Sequence, residues 1–162
     1  MKKYFFTLAF IYFFCSEFVL SKEITTQSII KIQNKIPFEC GIKFMSENKN
    51  FEAILSVKKE DLGTKTFFMV SSKLFQIDRV KFLSDRTNLA NLKNLKRTLS
   101  GNNFILEGQT DIDKTTEFIQ KVIINGGELI INDIKYIIPG PIDSKVRLEY
   151  LFCTGEMFRQ YN

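Results

Sequence analysis

Apolar and polar positions alternate with period two along much of the first half of the chain. In PFECGIKFM, Phe38, Cys40, Ile42 and Phe44 alternate with Glu39, Gly41 and Lys43, which predicts a strand over 36–45 with Cys40 on its apolar face. Phe51, Ala53, Leu55 and Val57 alternate with Glu52, Ser56 and Lys58, predicting a second strand over 51–58 beyond the turn-like SENKN. The run TFFMV reads as a strand of the buried type. KLFQIDRVKF reads as another, its apolar phase slipping at Asp78-Arg79 as at a bulge.

The period then changes. In SDRTNLANLKNLKRTLSGNN, leucines 89, 92, 95 and 99 recur at spacings of three and four, which predicts an amphipathic helix capped at Asp85 or Thr87 and stopped by Gly101. NFILEGQ follows as a short strand. TDIDKTTEFIQKVIINGG predicts a helix with Thr110 or Asp113 as its cap, Phe118, Ile119, Val122 and Ile123 facing inward, and Gly126 or Gly127 at its end. ELIIN and IKYII form a hairpin about Asn132-Asp133. A last helix follows PGPIDS, with Pro141 near its start, Asp143 or Ser144 as cap, and Val146, Tyr150, Cys153 and Met157 along one stripe. The stretch 22–35, KEITTQSIIKIQNK, is open between a flexible arm, a short helix and a strand.

Consecutive strands, a helix, a strand, a helix, a hairpin and a terminal helix argue for an α+β fold rather than a doubly wound one. The expectation is an antiparallel sheet with two to three helices packed on one face or end, as a single compact domain over 22–162. No Gly/Ser-rich or proline-rich linker and no internal repeat divides that span, and its length suffices for one core.

The N-terminus lies outside this scheme. MKK followed by the uncharged, phenylalanine-rich run Tyr4 to Cys15 has the charged and apolar regions of a secretory signal peptide. A membrane span needs about 20 apolar residues, whereas Glu17 interrupts this run early. Cleavage fits after Ser21, with Val19 and Ser21 at the two positions that take small or modest side chains, so residues 1–21 are the expected signal peptide. Phe14 stands where a lipoprotein signal carries a small residue before its cysteine, which argues against lipidation of Cys15. Export by the Sec route, to the periplasm or beyond the cell, is the implied address.

Removal of Cys15 turns three cysteines into two, Cys40 and Cys153. In an oxidising compartment an isolated pair predicts a disulfide, and both residues fall on apolar faces of their elements.

The chain carries a net charge of +5, which becomes +4 once Lys2, Lys3 and Glu17 leave with the signal. This mild basicity favours acidic partners. Lys93, Lys96 and Arg97 on the leucine segment, with Lys73, Arg79, Lys81 and Arg86 upstream, are the expected surface for an anionic partner. Nucleic acid is a poor fit, since no aromatic-basic signature accompanies them. The balance of Ile, Lys, Asn and Phe against few Ala and Pro resembles the bias of AT-rich genomes, common among host-restricted bacteria.

The absence of histidine excludes Ser-His-Asp and Cys-His nucleophile pairs, His-ligated metals and an imidazole base. Two distant cysteines make no zinc cluster, and the phosphate-binding and nucleophile-elbow glycine motifs are missing. Neither a cofactor nor a metal is expected. Carboxylate chemistry survives: Glu107, Asp111, Asp113 and Glu117 are close in sequence, and two acids suitably spaced cleave glycosidic bonds. Asp111 and Asp113 also sit where a helix N-terminus favours negative charge, the simpler role.

One resemblance adds to these readings. Residues 110–158, with Gly127, Leu129, Ile131, Ile138 and Gly140 at matching positions, resemble the tail of the invasion-associated locus B family of exported alphaproteobacterial proteins. There a helix, a GG-L-I-I strand, a return strand and a last helix follow in this order. The chain departs from that family in lacking a second cysteine pair and an early tryptophan. The resemblance implies an exported domain that interacts with host cells and has no catalytic site to transfer. The functional expectation is a small exported, non-enzymatic binding protein, acting as a secreted effector on a host or envelope protein. The alternatives are a carboxylate-dependent hydrolase of polysaccharide and a periplasmic assembly factor.

Overall fold

The computed structural model describes residues 24–60, 63–85, 87–89 and 92–159. The expected signal peptide, with Cys15 and the Ser21 boundary, lies outside the described residues, as does Arg86.

Among the described residues ten strands and two helices follow in order: β1 (Ile24–Gln33), β2 (Ile36–Ser46), β3 (Phe51–Glu60), β4 (Gly63–Ser72), β5 (Val80–Ser84), β6 (Thr87–Leu89), β7 (Lys93–Ser100), β8 (Asn103–Gln109), α1 (Ile112–Asn125), β9 (Gly127–Ile131), β10 (Ile134–Ile138) and α2 (Ser144–Met157). All paired strands are antiparallel. They form a six-stranded sheet in the order β1-β2-β3-β4-β8-β7 and a four-stranded sheet in the order β10-β9-β5-β6.

The architecture is therefore a β-rich sandwich, and the expected α+β fold with two to three helices is corrected. The error lies in the leucine segment. Thr87–Leu89 and Lys93–Ser100 form β6 and β7, not a helix. Leu89 is buried and Leu92 packs against the core, whereas Leu95 and Leu99 are exposed on an edge strand, so the four leucines never share one face. Gly101, read as a helix stop, is instead the first residue of a two-residue turn: Ser100 pairs with Asn103 and Gly101 has φ 58°. Positive φ at the first central position of such a turn costs glycine little. Pairing with β8 thus overrode a helical spacing. Residues 24–33, open in the sequence, pair with β2 across Asn34-Lys35, both at positive φ as in a type I′ hairpin.

The other elements fall close to their expected bounds, except that KLFQIDRVKF is a strand only from Val80 onward, as β5, with residues 73–79 in a bend and irregular backbone. Asp111 caps α1 and accepts from the Lys114 backbone N–H, in place of Thr110 or Asp113. Asp143 caps α2, and Val146, Tyr150, Cys153 and Met157 are its buried stripe. Thr110 and Thr115 hydroxyls lie 2.6 Å apart below α1, and Thr66 donates to the Thr110 carbonyl, so this buried polar corner is satisfied internally.

One core unites the layers. Phe68 of β4 meets Phe82 of β5 edge-on, and Phe82 meets Phe118 of α1 in the same way, at centroid distances of 6.4 and 5.8 Å. Phe51 of β3 lies against Tyr136 of β10. Helix α2 covers β2 and β1, where Cys40 and Cys153 are joined in a disulfide with Cα atoms 5.8 Å apart. The small sheet and both helices thus pack on a single face of the large sheet. Among the described residues no helix is long and apolar enough to cross a membrane.

Candidate binding face of the large sheet

The opposite face of the large sheet is crossed by no described element. Strand alternation decides what it displays: with Cys40, Ile42, Leu55, Phe68, Val70 and Leu106 turned into the core, the intervening residues point outward. The register aligns these in rows across the strands. Lys43 stands opposite Ile54, Ile54 opposite Met69, Met69 opposite Glu107, and Glu107 opposite Lys96. In the next row, Gly41, Ser56, Phe67, Gln109 and Lys93 follow one another.

Ile54, Met69 and Phe67 therefore form an apolar centre on adjacent strands, each half-buried by its neighbours alone. Gly41 and Ser56 leave the surface low beside Phe67. A groove of about 350 Å³ runs here, lined by Ile54, Phe67 and Met69 with Lys31, Glu39, Lys96 and Glu107 at its edges.

Ion pairs surround the centre. Lys31 reaches Glu39 at 2.8 Å, Lys43 reaches Glu52 at 3.6 Å, Lys96 reaches Glu107 at 3.5 Å, and Glu60 lies between Lys58 and Lys65. The two lysines hold the Glu60 carboxyl below its ordinary range, chiefly through the hydrogen bond from Lys65. Ser56 donates to Glu39, and the Lys58 ammonium sits 5.6 Å from the Phe67 ring centroid. A second depression of about 480 Å³ at one end of the face is lined by Lys43, Lys49 and Lys73 with Gln27, Asn50 and Asn103.

The residues expected to form one basic surface are dispersed. Lys93 and Lys96 belong to the outward rows, but Arg97, next along the strand, faces the other way and donates to the Asp78 carbonyl at 3.1 Å. Arg79 is paired with Asp133 at 2.6 Å, and Lys81 lies on the solvent side of the small sheet. Lys73 alone joins Lys96 in lining depressions of the open face. A helical edge would have gathered Lys93, Lys96 and Arg97; a strand separates the last two.

The four carboxylates are likewise divided among structural roles. Glu107 pairs with Lys96, Asp111 caps α1, Asp113 lies in its first turn, and Glu117 pairs with Lys121 at 2.7 Å. Among the described residues no three metal-ligating side chains converge.

The apolar centre is hidden in the sequence because TFFMV has the composition of a strand covered on both faces. Phe68 and Val70 are buried, but Phe67 and Met69 are covered by nothing beyond their own sheet. The available signal was the occurrence of large apolar residues in both phases of the strand.

Comparisons with protein-family models, curated proteins and solved structures find no match to this chain.

Proposed function

We propose that the protein is an exported, non-enzymatic binding module that docks a protein partner on the open face of its large sheet. The observation that carries this reading is the Ile54–Phe67–Met69 centre on an otherwise solvated sheet, ringed by paired charges. An apolar centre with a polar rim is the usual anatomy of a protein interface, and Met and Phe are enriched there. Each of the ion pairs around it has a solvent-accessible partner and contributes little stability, so these charges are available to a partner's.

Export is supported by the Cys40–Cys153 disulfide, which persists in oxidising compartments, together with the signal-like N-terminus. An invasion-associated, host-directed role rests on the resemblance of residues 110–158. The order α1, β9, β10, α2, with Leu129, Ile131 and Ile138 buried, supports that comparison at the level of element order.

The test is affinity capture by the mature chain, residues 22–162, from host extract and from cell-envelope extract in parallel, with Phe67→Asp as the control bait. A specific partner retained by the native chain and lost by the variant is the expected result. Capture unaffected by Phe67→Asp, or no specific partner from either extract, overturns the reading.

A further inference from the structure

Helix α2 has two apolar faces. Val146, Tyr150, Cys153 and Met157 are buried against β1 and β2. On the opposite side, Leu148, Leu151, Phe152 and Gly155 recur at i, i+3, i+4 and i+7, with Leu148 65 %, Leu151 51 % and Phe152 70 % exposed. That spacing is one continuous stripe along a helix. A surface helix ordinarily carries charge there, and helix interiors disfavour glycine. A Cβ placed on Gly155 would meet nothing within 4 Å, so no neighbour in the fold requires its absence.

The stripe is its own complement on reversal. An antiparallel copy centred between Leu151 and Phe152 brings Leu148 of each chain level with the partner's Gly155, a knob over a gap. Leu151 then lies level with the partner's Phe152. Lys145 and Glu156 occupy the same flank of the stripe at opposite ends. A two-fold axis perpendicular to both helices sets like flanks together, so each Lys145 comes within a helical turn of the partner's Glu156. Within its own chain Lys145 makes a long contact of 3.9 Å to Glu149, and Glu156 is held in place by Arg159 at 3.2 Å. Matching of apolar knobs, gaps and charges under reversal is what an isologous interface needs; a different partner would impose no such symmetry.

We infer that the outward face of α2 is a homodimer surface, on which a second copy of this chain packs its own α2 antiparallel. The inference is independent of the open sheet face, which lies on the other side of the large sheet. Only about six residues a side take part, against roughly 20–30 in a standard interface, so association is weak, with a dissociation constant in the micromolar range or above.

Sedimentation of the exported, disulfide-bonded protein from about 1 μM to about 1 mM tests it. The expected result is a reversible monomer–dimer equilibrium, weakened at least about tenfold by Phe152→Asp and also by Gly155→Leu, which fills the gap. Lys145→Glu and Glu156→Lys should each weaken it, and the double variant should recover the native constant. Thermal melts of Phe152→Asp and Lys145→Glu should match the native chain, since both side chains point to solvent, whereas Gly155→Leu should melt slightly higher because it replaces a glycine in a helix interior. A monomer throughout the range, a dimer indifferent to Phe152→Asp, or a double variant no tighter than the single ones overturns the inference.

Discussion

Phe67 and Phe68 are adjacent in sequence and lie on opposite sides of one sheet. Phe68 is 1 % exposed, seated over Gly108 and against Phe82, while Phe67 is half-buried on the open face. Phe68→Ala should cost about 3–5 kcal/mol through lost burial and a cavity, whereas Phe67→Ala should stay within about 0.5–1 kcal/mol. Denaturant midpoints of the two variants measure the contrast directly. Gly108 is equally specific. A Cβ there would come within 2.7 Å of both the Lys93 carbonyl and the Phe68 ring, so Gly108→Ala should destabilise by about 1–3 kcal/mol and increase amide exchange in β7. Tyr150 contributes to the alkaline pH dependence, as does Tyr136, whose phenol burial also raises. Burial raises the Tyr150 phenol to about 12, from an ordinary value of 10. Below pH 10 it is protonated in both folded and unfolded chains. Between pH 10 and 12 the unfolded chain ionises and the folded one does not, so stability falls with rising pH, by roughly 2–3 kcal/mol over that window. Tyr150→Phe should remove this part of the alkaline loss in pH-dependent melts.

At the scale of elements, legibility in the sequence followed burial. Strands β2 and β3 and helix α1 were readable because one face of each is committed to the core, giving clean periods of two or of three and four, whereas α2, apolar on two faces, was readable from the start signals Pro141 and Asp143. The hairpin of β9 and β10 was readable from Asn132-Asp133, both at positive φ. Segment 85–100 was misread because β7 is an exposed edge strand, so no burial constrained its apolar spacing and the leucines imitated a helix. Its cations also serve an edge well, since charge discourages pairing with other chains. The disulfide was readable as two cysteines on apolar faces, and the structure joins them. Its effect belongs to α2, which it fixes to β2. The sequence separation of 113 residues corresponds to a loop-closure contribution of about 4–5 kcal/mol in the chain-entropy model. Cys40→Ala with Cys153→Ala should lower stability by up to that amount, and amide exchange in α2 should rise more than in α1.

Over the whole molecule, the hidden quantity was coverage. A sequence specifies which strand positions are apolar, but which sheet face receives a second layer depends on the topology. Here the small sheet, α1 and α2 all gather on one side of the large sheet, which leaves Ile54, Phe67 and Met69 uncovered. The basic candidates are dispersed for the same reason at smaller scale, since strand alternation sends Lys96 and Arg97 to different sides. The open face should therefore tolerate mutation without loss of fold. A triple change of Ile54, Phe67 and Met69 to serine should keep the native circular dichroism and disulfide, with binding as the property that is lost.

The separation of the two cysteines also has a meaning in time. A chain delivered from its N-terminus presents Cys40 long before Cys153. At about 5–20 residues per second of synthesis, the separation of 113 residues makes the interval roughly 6–23 s. During it the β2 thiol is unpaired and open to attack by small disulfides or by a neighbouring chain's thiol. Pulse-labelled chains quenched by alkylation should show a transient single thiol at Cys40 that disappears only after α2 has been made, so closure of this bond acts as a clock for completed delivery.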